Sequence, residues 1–253
     1  MANFVICGLE HSGTTMVSEL FRQIPGVDAG FESGALLCDS PRGLPWLTPY
    51  DDIMLWGWGI DRAALERCCD THEFTVFYER LRQHATVLKP DTKTIFDKTP
   101  RYAAALADCM AKIAVPFIVV YKDPRASVFS DHKAAGSPPF HPWFTTYAEE
   151  KRGYMRLHYA QFQRARRTED ARVCLVRLED ICLDTRRTCE RMFAHAGYSF
   201  IPAYAALPAI RYANTRKGSV CAGIPFEYLS GFTPDERHRI KDEFAEFSDW
   251  FYD

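Results

Sequence analysis

The chain has 253 residues, 47% of them apolar, which is enough to bury one large α/β core, and residues 1–253 read as a single domain. Its 31 Lys and Arg nearly balance 33 Asp and Glu, so the formal charge of -2 excludes an electrostatic case for nucleic acid or an anionic membrane face, and any anion site must be local. The nine cysteines show no C-x-x-C spacing, no secretory signal opens the chain, and no apolar run nears the roughly 20 residues that span a bilayer; the expectation is a reduced, cytoplasmic chain without a membrane span or metal site.

The first predicted element is a strand over Asn3–Gly8, "NFVICG". It runs into the loop "LEHSG" and a helix-like pattern, "GTTMVSELFRQI". Residues 38–60 are rich in Pro, Gly and Trp, so they read as a loop insertion with even claims to line a cleft or to anchor itself on the core. A short strand over Thr92–Asp97 follows, then a helix with Thr99 as N-cap and Pro100 first in the helix. Val115–Tyr121 is the next strand, feeding the helix "PRASVFSDHKAA", and residues 136–144 form a second loop. The last strand, Arg172–Leu178, leads into "EDICLDTRRTCERMFAHAG", closed by Gly197. In the tail, Thr233 and Pro234 open a helix whose stripe of Ile240, Phe244 and Phe247 is for packing. Alternating strands and helices predict an α/β domain with a central parallel sheet flanked by helices.

The first turn carries the most chemistry. A strand, a glycine loop and a helix aim several backbone N–H groups and a helix dipole at one point, which suits an oxyanion. Gly8 and Gly13 have the spacing of the nucleotide phosphate loop G-x-x-x-x-G-K-[ST], and Thr15 closes it, but Thr14 stands at the lysine position. Without that lysine a triphosphate is poorly neutralised, whereas a sulfonate on a single phosphate can be held by amides and by Ser12, Thr14 and Thr15.

"GLEHSGTT" resembles the 5′-phosphosulfate loop of sulfotransferases that use 3′-phosphoadenosine 5′-phosphosulfate (PAPS), and the resemblance implies the phosphate-loop NTPase-like fold of that family, of bacterial or carbohydrate type. His11 stands where the family usually has Arg or Lys, as an imidazolium or a neutral donor. "IVVYKDPRASVFS" is similar to the family's 3′-phosphate motif, with Lys122 at the Arg position and Ser130 eight residues on; Arg125 reads as a surface charge. Arg216, Lys217 and Gly218 resemble the R-K-G that closes over the same phosphate. "FDKTPRY" resembles a D/E-K-[TS]-P-x-Y segment that would aim Lys98 into the crevice, and in "CLVRLEDI" the acidic pair is expected to cap the helix from Glu179.

By this resemblance the chain is a sulfotransferase that moves SO₃ from PAPS, with no metal, to a hydroxyl or amine of a small molecule or sugar. Glu32, in "AGFESG", matches the family's catalytic glutamate and is the first choice of base, with His11 and Lys98 for the leaving group. Glu10, in the donor loop, would repel a phosphosulfate if it pointed inward and is expected to face a helix or the acceptor. His132 reads as a helix-surface histidine, and the other histidines receive no role. The competing readings are a phosphate-loop kinase and a non-catalytic nucleotide-binding module. The sequence assigns no oligomeric state.

Overall fold

Five parallel strands form one sheet in the order β2-β3-β1-β4-β5 in the computed structural model, which describes residues 2–212, 220–221 and 223–252. In chain order the elements are β1 (Ala2–Gly8), α1 (Thr14–Phe21), β2 (Val27–Asp28), α2 (Tyr50–Trp58), α3 (Arg62–Cys69), α4 (Phe74–His84) and β3 (Thr94–Lys98). Then come α5 (Leu106–Lys112), β4 (Phe117–Tyr121), α6 (Pro124–Ala134), α7 (Phe140–Thr168), β5 (Val173–Arg177), α8 (Leu178–Leu183), α9 (Thr185–His195), α10 (Tyr228–Gly231) and α11 (Pro234–Glu243).

The apolar run of β1 is buried on both faces and occupies the middle of the sheet, as a strand flanked by parallel neighbours requires. Its register sets Ile6 against Lys98 of β3 and Gly8 against Val120 of β4. Consequently the C-terminal ends of β1, β3 and β4 share one edge, and the chain departs to opposite sides of β1, the position at which open α/β sheets form a ligand crevice.

Stacked rings close one face: Phe4 lies 4.7 Å from Phe96, and Phe21 of α1 lies 4.2 Å from Phe193 of α9. A second apolar cluster joins α6 and α7 to the tail, where Ile240, Phe244 and Phe247 are fully buried as their stripe predicted. Thr233 and Glu236 cap α11 reciprocally.

Several expectations need correction. Residues 38–60 contain a 3₁₀ segment (Pro41–Trp46) and the helix α2. The second loop ends at Pro139, because Phe140 already begins the 29-residue α7, a helix that was not expected. Thr99 does not cap with its side chain, and Pro100 opens a 3₁₀ turn before α5. The helix after β5 breaks at Asp184 (φ -125°, ψ 59°) into α8 and α9.

Candidate functional site

Gly8 is demanded by the sheet: a Cβ there would lie 2.1 Å from the Val120 carbonyl oxygen. Gly13 adopts φ 93°, and a Cβ on it would approach Leu178 Cδ1 to 2.7 Å. Between them, the buried Ser12 hydroxyl donates to the Val120 carbonyl at 3.1 Å and ties the loop to β4. Thr14 and Thr15 open α1 and line a cleft of about 550 Å³ at the sheet edge, together with Glu10, His11, Glu32 and Ser130.

A recess of about 100 Å³ is lined by His11 and Gly13 from the loop and by Lys122 and Ser130 from beyond β4. Lys122 is buried, and its Nζ donates to Ser130 Oγ at 2.8 Å. Burial pushes the Lys122 ammonium down to about 8, the Asp131 charge opposing that shift. The two anion motifs, 108 residues apart at Ser12 and Val120, therefore meet in one crevice.

The supports around this crevice differ from expectation. Arg125 is not a free surface charge: it pairs with Asp123 at 2.5 Å and donates to the Tyr252 carbonyl at 2.8 Å, anchoring α6 to the tail. Glu179 leaves its own helix uncapped and accepts the Asp123 N–H at 3.0 Å, fixing the turn that presents Lys122; burial pushes its carboxyl up to about 7. His132 is buried rather than on the helix surface, bonded through Nε2 to the Pro138 carbonyl at 2.7 Å.

At the other end of the cleft, β3 delivers Lys98. Its side chain is fully buried, its Nζ donates to Glu32 Oε1 at 2.9 Å, and the same atom lies 4.0 Å over the Phe31 ring. Burial lowers the Lys98 pKa, with the Glu32 charge opposing. Neighbouring Asp97 is a buried acceptor for Ser33 (2.5 Å), Tyr78 (2.6 Å), Tyr102 (2.7 Å) and Thr99 (3.0 Å). Thr99 in turn accepts the N–H groups of Ser33 and Gly34 at 3.1 and 3.2 Å, so the turn bearing Glu32 is bolted to β3 from both sides. Sequence reasoning missed Asp97 and Tyr102, although both lie within the very motif that singled out Lys98.

Glu10 turns toward α7, where the Tyr154 hydroxyl donates to its carboxylate, and burial raises its pKa. His11, with φ 61°, meets α6 instead: Nδ1 lies 2.8 Å from Asp131 Oδ1. Asp131 also accepts from Tyr147 at 2.5 Å and pairs with Lys151 at 2.7 Å, a cluster that no sequence motif marks. Among the described residues, none of 38–60 or 136–144 lines the cleft; Trp56 reaches it only through Phe31, at 4.9 Å between ring centroids. Arg216, Lys217 and Gly218 lie outside the described residues.

A family model described as "Sulfotransferase family" matches residues 3–202. The chain belongs to the sulfotransferase family. Solved sulfotransferases share its fold: the sulfotransferase domain of the Synechococcus PCC 7002 olefin synthase matches with a TM-score of 0.66 at 15% identity, over 100% of this chain and 94% of that one. A sulfotransferase from Alicyclobacillus acidocaldarius gives 0.54 at 17% identity over 97% and 92% of the two chains. A mouse sulfotransferase complexed with PAP gives 0.55 at 12% identity over 97% and 84%. No curated protein matches the chain. Among the described residues of this sulfotransferase, no helix is long and apolar enough to cross a membrane.

Proposed function

We propose that this sulfotransferase takes its sulfuryl group from PAPS and transfers it to a hydroxyl or amine of a small molecule or sugar. The observation that carries the reading is the shared recess of the phosphate loop with Lys122 and Ser130, which offers two anion grips to one nucleotide. The loop amides, Thr14 and Thr15 hold the 5′-phosphosulfate, and Lys122 with Ser130 holds the 3′-phosphate. Arg216, Lys217 and Gly218 are proposed, on sequence alone, to close over that phosphate. The mouse relative complexed with PAP adds support for this donor.

In the reaction the acceptor oxygen or nitrogen attacks sulfur in line as the bond from sulfur to the bridging phosphate oxygen breaks. Glu32 lines the cleft and removes the acceptor proton. Lys98 has its ammonium against Glu32 and Phe31, so we assign it to orienting the base rather than to meeting the leaving oxygen. That leaves His11, which lines both the cleft and the recess, to face the charge gathering on the leaving phosphate.

Thermal-shift titration tests the donor. Saturation with 3′,5′-adenosine bisphosphate at about 100 times Kd should add about 2.7 kcal/mol of stability, and ATP with magnesium much less. A stronger response to ATP with magnesium favours the kinase reading and overturns this one. Lys122→Met should weaken the bisphosphate by about 10–100-fold, the cost of one charged hydrogen-bonding partner. Because binding favours the protonated amine, wild-type affinity should fall as pH rises above about 8, where the free Lys122 loses its proton, and Lys122→Met should lack that component in calorimetry.

A further inference from the structure

His11 occupies a loop position that needs a cation, yet imidazole is only conditionally charged. What surrounds it is specific. Its Nδ1 faces Asp131 Oδ1 at 2.8 Å, and Asp131 is clamped from α7 by the Lys151 ammonium at 2.7 Å and the Tyr147 hydroxyl at 2.5 Å. Asp131 directly follows Ser130, so α6 presents one residue to each anion grip.

We propose that Asp131 is a positioning residue that holds His11 as an imidazolium, with Nδ1–H donated to the carboxylate and Nε2–H offered to the donor's bridging oxygen. The inference rests on the PAPS reading above. A carboxylate accepts only, so the hydrogen of the 2.8 Å contact sits on Nδ1 and the remaining ring nitrogen is Nε2. In a neutral ring Nε2 would present a lone pair to an anionic oxygen and repel it; the imidazolium presents N–H instead. Within the trio Lys151 balances Asp131, so a charged His11 gives it a net positive charge, complementary to the phosphosulfate.

Other charges bear on the same point. Lys122 feels Asp131 from the end of β4, and Glu10, Lys133 and Glu227 line the cleft with His11. Burial would raise the Asp131 carboxyl, but its bonds to His11, Lys151 and Tyr147 outweigh burial and hold it well below the usual carboxylate range. The carboxylate is therefore ionised wherever the enzyme is folded near neutrality.

Long-range proton–nitrogen NMR on protein labelled with ¹⁵N-histidine and saturated with 3′,5′-adenosine bisphosphate at neutral pH reads the ring directly, with His11→Gln assigning the signal. Both ring nitrogens should be protonated in the wild type, and one should lose its proton in Asp131→Asn. Lys151→Met, which removes a competing cation but keeps the carboxylate, should leave His11 charged and covers the case in which Asp131→Asn does not fold. A neutral His11 in the wild-type complex, an imidazolium that persists in Asp131→Asn, or a neutral His11 in Lys151→Met overturns the proposal. A merely structural Asp131 would lower the melting temperature and leave the ring's protonation unmoved. Failure to bind the bisphosphate at any pH sinks the donor assignment and this inference with it; binding with a neutral His11 sinks the inference alone.

Discussion

Replacing Glu32 by glutamine should slow sulfuryl transfer by roughly 10²–10⁴-fold, the range over which a positioned general base contributes. The substitution separates chemistry from folding because the amide keeps an oxygen where Oε1 now accepts from Lys98 at 2.9 Å. The melting temperature should therefore move little. Glu32→Ala is the contrasting variant: it takes from the fully buried Lys98 ammonium its hydrogen-bonded carboxylate, and breaking such a pair costs on the order of 3–5 kcal/mol. Conversion of PAPS to the bisphosphate in the presence of an acceptor measures the first effect, and denaturant unfolding the second. Full activity in Glu32→Gln would move the role of base elsewhere, Glu10 and Glu227 being the other carboxylates that line the cleft among the described residues.

The parts of this architecture legible in the sequence are those where one local pattern decides one local structure. The apolar run of β1 ending on Gly8 forces a buried strand and a turn without Cβ, and the Thr233, Pro234 and Glu236 signature leaves no other start for α11. Long-range demands were not legible. The stripe of α7 runs through Phe140, Phe144, Ala148, Lys151, Met155, His158 and Phe162, and two polar members interrupt an otherwise helical apolar period. Lys151 is buried there to meet Asp131, so the feature that obscured the helix is the one that serves the site. The β2 strand has two residues, too few for any period to register. His132 has the helical setting of a surface residue, and its burial comes from parts of the chain that fold over it: the Pro138 carbonyl on Nε2 and the rings of Phe140, Trp143 and Phe232.

The same limit applies to the acidic residues. Asp97 reads as one letter of a motif whose lysine draws attention, yet it is the hub of the hydrogen bonds beneath the Glu32 turn. Asp97→Ala should destabilise the protein by about 3–5 kcal/mol, because four hydroxyl donors, those of Ser33, Tyr78, Thr99 and Tyr102, lose a buried acceptor at once. The penalties do not simply add. Ser33 and Tyr102 hydroxyls lie 3.1 Å apart and can satisfy each other, and the single-donor variant Tyr78→Phe should cost only about 1 kcal/mol. In a chain of this size such a loss lowers the melting temperature by roughly 2–4 °C for each kcal/mol. Function should suffer beyond stability. The Ser33 and Gly34 N–H groups hang on Thr99, and Thr99 is held by Asp97, so the turn that aims Glu32 loses its anchor. Well below its melting temperature, folded Asp97→Ala should therefore turn over more slowly than wild type while its affinity for the bisphosphate, held at the opposite end of the crevice, stays the same. Equal losses in bisphosphate affinity and turnover would mean that Asp97 supports the whole sheet edge rather than the Glu32 turn.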